Sequence, residues 1–256
     1  MARSSSPSYT TATLAKGLEV LEALAEVDSI GLSDLARRLE IAVPTLFRIL
    51  ATLVERGFAQ KTEGRYRLTL KSWELGARVL ARFDVARVAR PWIARLAMEV
   101  DESPHLAVLR DEAVVIVERG ECRQAVKVET LVGLRAPAHA SATGKILLAY
   151  QPASRLAELL AAPLPRYSDR TLTEPEALRR ELAKVRRQGY ATNRGEWRPG
   201  VCAVAVPLAD ASGGVVAALS LTLPTERFGE ARLKNVLLPA LRRTAAGIAV
   251  ELGLPA

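Results

Sequence analysis

The side chains best suited to bind a small molecule cluster between residues 189 and 224. Ser220 and Thr222 alternate with leucines in the apolar run at 215–223, and the two-residue period of a strand puts both hydroxyls on one face. Hydroxyls in so apolar a strand need hydrogen-bond partners. They are either a satisfied pair in the core or the polar part of a ligand pocket. The preceding loop adds Asn193, Arg194, Glu196 and Arg198.

The chain lacks a recognisable catalytic set. Cys202 has the chemistry of a nucleophile, but His105 and His139 lie far from it in sequence, so a buried structural thiol is the better interpretation. Residues 141–145 resemble the end of a phosphate-binding loop, which needs Gly at 139 and Ser or Thr at 146. This chain has His139 and Ile146 there. We therefore expect no enzyme, no cofactor and no metal.

A second stretch, residues 32–58, has the spacing of a DNA-binding surface. It predicts two short helices in a helix-turn-helix arrangement, the first capped by Ser33 and the second started by Pro44. The buried stripe of the second helix repeats at i, i+3, i+4 and i+7 from Leu46 to Leu53. The opposite face carries Thr45, Phe47, Arg48, Thr52 and Arg56. An ordinary helical hairpin is the alternative.

A hairpin prediction follows directly and favours DNA binding. Residues 58–68 read as two strands around Glu63-Gly64, which makes a winged helix-turn-helix with Arg65, Tyr66 and Arg67 on the wing, near a passing phosphate backbone. Between residues 41 and 71 six basic residues face two acidic ones. This excess fits a phosphate-facing surface, although a solvated basic face gives the same count.

The remaining pattern predicts elements that position these two groups. A first helix at 13–26 packs under the helix-turn-helix, and a long helix at 72–90 links two domains, with Pro91 breaking or restarting it. Short β-branched runs then predict strands at 105–110, 113–118, 124–129, 201–207 and 215–223. With helices between the runs, this order predicts an α+β domain with an antiparallel sheet flanked by helices.

Composition limits the classes of protein that remain. The chain has 256 residues, 49% hydrophobic and 25% charged, and a formal net charge of +8, which suits a polyanionic partner. Cys122 and Cys202 are far apart without metal-ligand spacing, as expected in a reducing cytoplasm. The Ser-rich residues 1–10 predict a disordered tail rather than a signal peptide, and the apolar runs are too short to cross a membrane.

Three blocks of this sequence resemble the IclR family of bacterial transcriptional regulators. They are residues 32–70 with FRILATLVERGF, residues 138–149 with AHASATGKILLA, and residues 189–224 with GYA, GE, GV, AVP and LSLTLP in order. The resemblance implies an N-terminal domain (11–71) that binds palindromic double-stranded DNA as a homodimer or homotetramer. It also implies a GAF-like C-terminal domain (91–256) that binds a small effector, a carboxylate or an aromatic metabolite.

The resemblance also implies a set of effector-binding residues. These are Asn193, Glu196, Cys202, Ala203, Ser220 and Thr222, with Gly133 and Ala142 to Gly144 on the other wall. Departures from the family pattern are Glu40 in the helix-turn-helix, where Gly is frequent, and Val43-Pro44 at the start of the second helix. Base contacts are therefore assigned to Thr45, Phe47 and Arg48. Cys202 stands one place before the usual cysteine, so the period of two points it to the opposite face.

Two alternatives remain at this point. One is a constitutive DNA-binding protein whose GAF-like domain is unliganded and serves only oligomerisation. The other is a sensor or enzyme whose N-terminal domain makes only protein contacts.

Overall fold

Short elements close on one small core in the N-terminal unit of the protein. A computed structural model describes residues 11–81, 84–209 and 214–253, so the predicted tail at 1–10 lies outside the described part. The unit contains α1 (Ala12–Ala25), β1 (Ile30–Gly31), α2 (Leu32–Arg38), α3 (Val43–Glu55), β2 (Ala59–Thr62), β3 (Arg65–Leu68) and α4 (Lys71–Ala81). Leu35, Leu46 and Leu50 are fully buried between α2, α3 and their neighbours.

The helix-turn-helix and its wing are present as predicted. Strands β2 and β3 join through Glu63 and Gly64, whose φ angles of 51° and 78° give the two-residue turn that suits a twisted hairpin. Glu40 also adopts a positive φ, 53°, which explains why glycine suits this turn. The predicted Ser33 cap is wrong, because α2 begins at Leu32 with Gly31 in the cap position.

The predicted linker helix at 72–90 corresponds to α4 and the first part of α5 (Asp84–Val100). Residues 82 and 83 lie outside the described part. Helix α5 continues through Pro91, so the predicted break there is wrong. Ala89 before the proline and Ile93 and Leu96 after it are buried. Their packing holds the helix and outweighs the lost backbone hydrogen bond.

The C-terminal unit starts with α5 and is built around one sheet. Its strands are β4 (Ser103–Arg110), β5 (Ala113–Arg119), β6 (Arg135–Pro137), β7 (Ala191–Arg194), β8 (Val201–Ala209) and β9 (Val215–Pro224). Its other helices are α6 (Ala142–Ala149), α7 (Ala153–Leu159), α8 (Pro175–Gln188), α9 (Glu230–Arg232) and α10 (Leu238–Glu251), with a π-helical turn at Leu233–Leu237 before α10. The six antiparallel strands have the order β6-β5-β4-β9-β8-β7, which confirms the α+β prediction.

The predicted strand at 124–129 is wrong. Residues 120–134, which we call the strap, carry no strand and run from β5 to β6. Their backbone groups bond elsewhere: the Arg123 N–H donates to Asp101 Oδ1 at 2.9 Å, and the Val126 carbonyl accepts from Arg227 Nη1 at 2.9 Å. At these two positions a side chain takes the place of the partner strand that a ladder would need, whereas the two ends of the strap bond to the backbone of Pro104 and Ile116.

Candidate functional site

A cavity lies on one face of the sheet in the C-terminal unit, where α6 and the strap also contribute. Its cavity volume is about 60 Å³, and the roughly 570 Å³ of space free of protein atoms around it includes open solvent. The apolar lining consists of Val114, Ile116, Val128, Ala136, Ala142, Trp197, Val201 and Ala203. The polar lining consists of His105, Thr130, Ser141, Thr143, Asn193, Arg198, Ser220 and Thr222. Although the two kinds of residue are equal in number, most of the surface that they expose to the cavity is apolar, and an apolar surface with converging polar groups is typical of a small-molecule site.

The period of two along β9 places the predicted hydroxyls as expected. Ser220 and Thr222 line the cavity, whereas Leu219, Leu221 and Leu223 are fully buried on the other face. Strand β8 pairs Ala203 with Thr222, so Ala203 also faces the cavity. The Ser220 hydroxyl donates to the His105 carbonyl at 3.4 Å, so it is both satisfied and part of the wall.

His105 is the centre of the polar part of this wall. Its Nδ1 lies 3.2 Å from Thr222 Oγ1, and its Nε2 contacts the Thr130 hydroxyl of the strap. Burial lowers the pKa of His105 from 6.5 to about 4, and the positive charge of Arg119 acts in the same direction. The imidazole is therefore neutral at pH 7, with one nitrogen donating and the other accepting.

Asn193 fixes the loop that forms a second wall. Its Nδ2 donates to the Ala140 carbonyl at 3.0 Å, and its Oδ1 accepts from the Glu196 N–H at 2.9 Å. Both halves of the amide are used within the protein. The loop then presents Trp197 and Arg198 to the cavity, with the Arg198 guanidinium 4.3 Å from the centroid of the Trp197 ring.

Glu196, predicted to bind effector, is instead paired inside the protein. Both carboxylate oxygens accept from Lys145 Nζ, at 2.7 and 2.8 Å, and the Lys145 side chain is only 2% exposed. Glu196 does not line the cavity. The pair ties α6 to the 193–198 loop, since the buried cation would otherwise lack a countercharge. Lys145 is also the lysine of residues 141–145, the stretch that resembles a phosphate-binding loop, and its ammonium group is already paired with Glu196.

Three further predicted effector residues are corrected. Cys202 faces away from the cavity, with its Sγ 3.5 Å from Thr225 Oγ1, as the shift by one place in β8 requires. Gly133 lies in an exposed turn with a φ of 89° and does not line the cavity. Gly144 is a packing residue, because a Cβ there would lie 2.1 Å from the Ala138 carbonyl oxygen.

Several cavity residues were missed by sequence reasoning. They include His105, Thr130, Ser141 and Trp197, with Arg198 considered only as part of its loop, whereas Thr143 lies in the predicted range from Ala142 to Gly144. The signal for His105 was its position in an apolar strand. Thr130 had none, because it reaches the cavity on an irregular strap.

The predicted DNA-contacting residues of α3 share one accessible face. Arg48 and Thr52 are exposed, Thr45 is half-buried, and Phe47 is 51% exposed. The Thr52 hydroxyl donates to the Arg48 carbonyl at 3.0 Å. This face therefore carries a cation, hydroxyls and an apolar ring, a composition suited to phosphates and base edges.

The wing contributes fewer free groups than predicted. Tyr66 is 3% exposed and belongs to the core, so its assignment to the DNA surface is wrong. Its backbone pairs with Ile30 of β1, since β3 is the middle strand of the small sheet. Arg65 is exposed, but its Nε and Nη2 donate to Ser29 at 2.9 and 2.8 Å. Arg67, two residues further along β3, is also exposed.

The described residues offer neither a metal site nor a membrane-spanning helix. No group of histidine, cysteine, aspartate or glutamate side chains there is arranged to hold a metal ion. No helix in residues 11–81, 84–209 or 214–253 combines the length and apolar character needed to span a bilayer.

Comparisons with known proteins agree with both halves of this description. Residues 13–63 match the family described as IclR helix-turn-helix domain, and residues 77–250 match the bacterial transcriptional regulator IclR C-terminal family. The HTH-type transcriptional regulator KdgR of Escherichia coli (strain K12) is 35% identical over 230 residues, which cover 89% of this chain and 87% of KdgR.

Solved structures match nearly the whole length of the chain. A transcriptional regulator from Rhodococcus sp. RHA1 has a TM-score of 0.83 at 31% identity, covering 95% of this chain and 99% of that one. An IclR homologue from Microbacterium hydrocarbonoxydans, solved with 4-hydroxybenzoate, has a TM-score of 0.81 at 34% identity over 94% of this chain and 99% of that one. Two family matches, a regulator relative and the shared fold lead to one conclusion: the chain belongs to the IclR family of bacterial transcriptional regulators.

Proposed function

We propose that this regulator binds a small organic acid or aromatic metabolite in the cavity beside Ser220, and that the ligand modulates promoter binding. The observation that carries the proposal is the cavity itself, with an apolar lining and converging hydroxyls. The Microbacterium homologue crystallised with 4-hydroxybenzoate supports the same class of ligand. An effector acts by binding one arrangement of a protein better than another, which shifts the population between DNA-competent and incompetent forms.

A ligand screen tests the sensing part of the proposal. Thermal unfolding of the full chain is followed with a panel of small aliphatic and aromatic acids, including 4-hydroxybenzoate. A compound present at about one hundred times its Kd stabilises the folded protein by roughly 2.7 kcal/mol. A panel without any stabilising compound would support the alternative, a constitutive DNA-binding protein whose C-terminal domain serves only oligomerisation.

On DNA, we propose that the protein reads a palindromic double-stranded operator as a homodimer or homotetramer. Two copies of α3 would enter successive major grooves about 34 Å apart. Thr45 and Phe47 would contact base edges, with Thr52 beside them, while Arg48, Arg65 and Arg67 would contact phosphates. Support comes from the exposed face of α3 and the basic wing.

A salt titration tests the assignment of Arg48. An operator is first selected from random DNA, and its affinity is then measured against salt concentration. Arg48→Ala should reduce the salt slope by about one unit, because one phosphate contact is lost. Arg37→Ala is the matched control: Arg37 is also exposed, but it lies on α2, where Asp34 pairs with it at 3.4 Å. A slope unchanged by Arg48→Ala removes this residue from the interface.

A further inference from the structure

The cavity contains one formal charge. Among the described residues that line it, Arg198 is the only cation, and no carboxylate lines it. Arg198 is exposed, so it stands at the solvent side of the cavity. Within the described ranges no carboxylate forms an ion pair with it. A guanidinium held over Trp197 and without a countercharge is suited to bind a carboxylate through two parallel hydrogen bonds.

The buried polar group of the cavity is uncharged. His105 is 3% exposed, and its two nitrogens contact the hydroxyls of Thr222 and Thr130. A neutral imidazole donates to one hydroxyl and accepts from the other, so either threonine keeps hydrogen-bonding capacity for a ligand. This group can satisfy a hydroxyl, carbonyl or amide. If a ligand carried a second carboxylate and placed it beside His105, that carboxylate would have no cation to pair with and would pay a high desolvation cost.

Most of the wall between these two groups is apolar, and the polar atoms of Ser141, Asn193 and Ser220 that also line it already bond within the protein. Val114, Ile116 and Ala136 come from β5 and β6, and Val201 and Ala203 come from β8. A ligand that spans the cavity must therefore have a hydrocarbon or aromatic middle, because polar atoms facing these side chains would lose their water without a replacement.

We infer that the effector is a small organic acid with a single negative charge, bound with its carboxylate at Arg198 and an uncharged hydrogen-bonding group at the Thr130–His105–Thr222 chain. This inference rests on the proposed function and specifies the chemistry of its ligand. Arg198 and Thr222 are then the residues that set ligand specificity, Arg198 for charge and Thr222 for the group at the opposite end.

Matched probes test the inference on the full-length protein. Benzoate, para-hydroxybenzoate, terephthalate and para-hydroxybenzamide share one ring and differ in charge and end group; hexanoate, adipate and hexanamide repeat the charge comparison without a ring. Calorimetric titration at pH 7.5 should rank para-hydroxybenzoate above benzoate. Each monoanion should bind at least about tenfold more tightly than the dianion and the amide of its own series, that is, with a Kd at least about tenfold lower, the equivalent of 1.4 kcal/mol.

Two variants assign the two ends. Arg198→Met should weaken the acids at least about tenfold and leave the amides within about twofold, because it removes only the charge contact. Arg194→Met is the matched control: Arg194 also stacks on an aromatic ring, at 4.9 Å from the Phe228 centroid, but does not line the cavity, and its loss should leave the acids unchanged. Thr222→Val should abolish the preference of para-hydroxybenzoate over benzoate.

The outcomes separate this inference from the proposed function. Equal or tighter binding of the dianions or amides overturns the single-charge inference while the cavity remains a sensor. Acids that bind Arg198→Met as they bind wild type overturn the orientation. If neither these probes nor the wider acid panel binds, the sensing function itself is wrong.

Discussion

His105 makes the stability of the C-terminal unit depend on pH. Burial lowers its pKa from 6.5 to about 4, so between these values the unfolded chain binds the proton and the folded protein does not. As far as His105 is concerned, the free energy of unfolding is highest above about pH 6.5 and decreases as the pH falls toward 4. Between pH 7 and 4.5 this one group should remove about 2 kcal/mol of the free energy of unfolding.

A variant isolates that contribution. Denaturant unfolding of wild type and His105→Gln is measured across this pH range, and other acidic groups cancel in the difference. The stability of His105→Gln relative to wild type should rise as the pH falls, because glutamine has no proton to gain. Parallel pH profiles would mean that His105 titrates normally in the folded protein.

The buried Lys145–Glu196 pair gives a second prediction for single residues. Lys145→Met leaves the Glu196 carboxylate without its cation, which should cost about 3–5 kcal/mol of unfolding free energy. Lys145→Met combined with Glu196→Met removes both charges and should be more stable than Lys145→Met alone. For comparison, Arg155→Met breaks an exposed pair, with Arg155 44% exposed, and should cost less than about 1 kcal/mol. A double variant as unstable as Lys145→Met would contradict this account.

Helix α6 depends on the absence of a side chain at Gly144. The Ser141 hydroxyl accepts from the Gly144 N–H at 3.2 Å, and the Ala138 carbonyl lies where a Cβ would be. Gly144→Ala should therefore destabilise the C-terminal unit by at least about 2 kcal/mol, since backbone must move. It should also weaken binding of any cavity ligand, because Ala142 and Thr143 line the wall.

The control is a glycine in a similar local structure. Gly17 lies in α1, and a Cβ added there would have no neighbouring heavy atom within 4 Å. Gly17→Ala should stabilise its helix by about 0.5–1 kcal/mol, the usual difference in helix propensity. Thermal or denaturant unfolding measures both variants. A Gly144→Ala protein as stable as wild type would show that the turn before α6 relaxes freely.

Elements with a clear period were predictable, and irregular ones were not. The stripe of α3 and the alternation of Ser220 and Thr222 follow from side-chain geometry alone. Tyr66 alternates with Arg65 and Arg67, so the same period of two explains why it is buried while they are exposed. The strap carries β-branched residues but bonds to Asp101 and Arg227, distant partners that no local pattern indicates. His105 meets Thr130 and Thr222 only after folding.

At the scale of the whole molecule, each unit has a core of its own. We expect a fragment starting at residue 84 to fold and to bind the same acids as the full chain, with Kd values within about threefold. Circular dichroism and calorimetric titration of this fragment provide the measurement. It should not bind the selected operator, because the helix-turn-helix is missing. A fragment that unfolds, or that binds no acid when the full chain does, would show that the cavity depends on the N-terminal unit.

The margins of the large sheet restrict how copies of this protein can associate. Its outermost strands β6 and β7 have three and four residues, and Pro137 in β6 has no N–H to offer. Short margins with a proline discourage the addition of a foreign strand. Association of copies of this unit through main-chain pairing between strands is therefore disfavoured. When the protein is expressed at high concentration, its copies should form discrete complexes rather than fibrils.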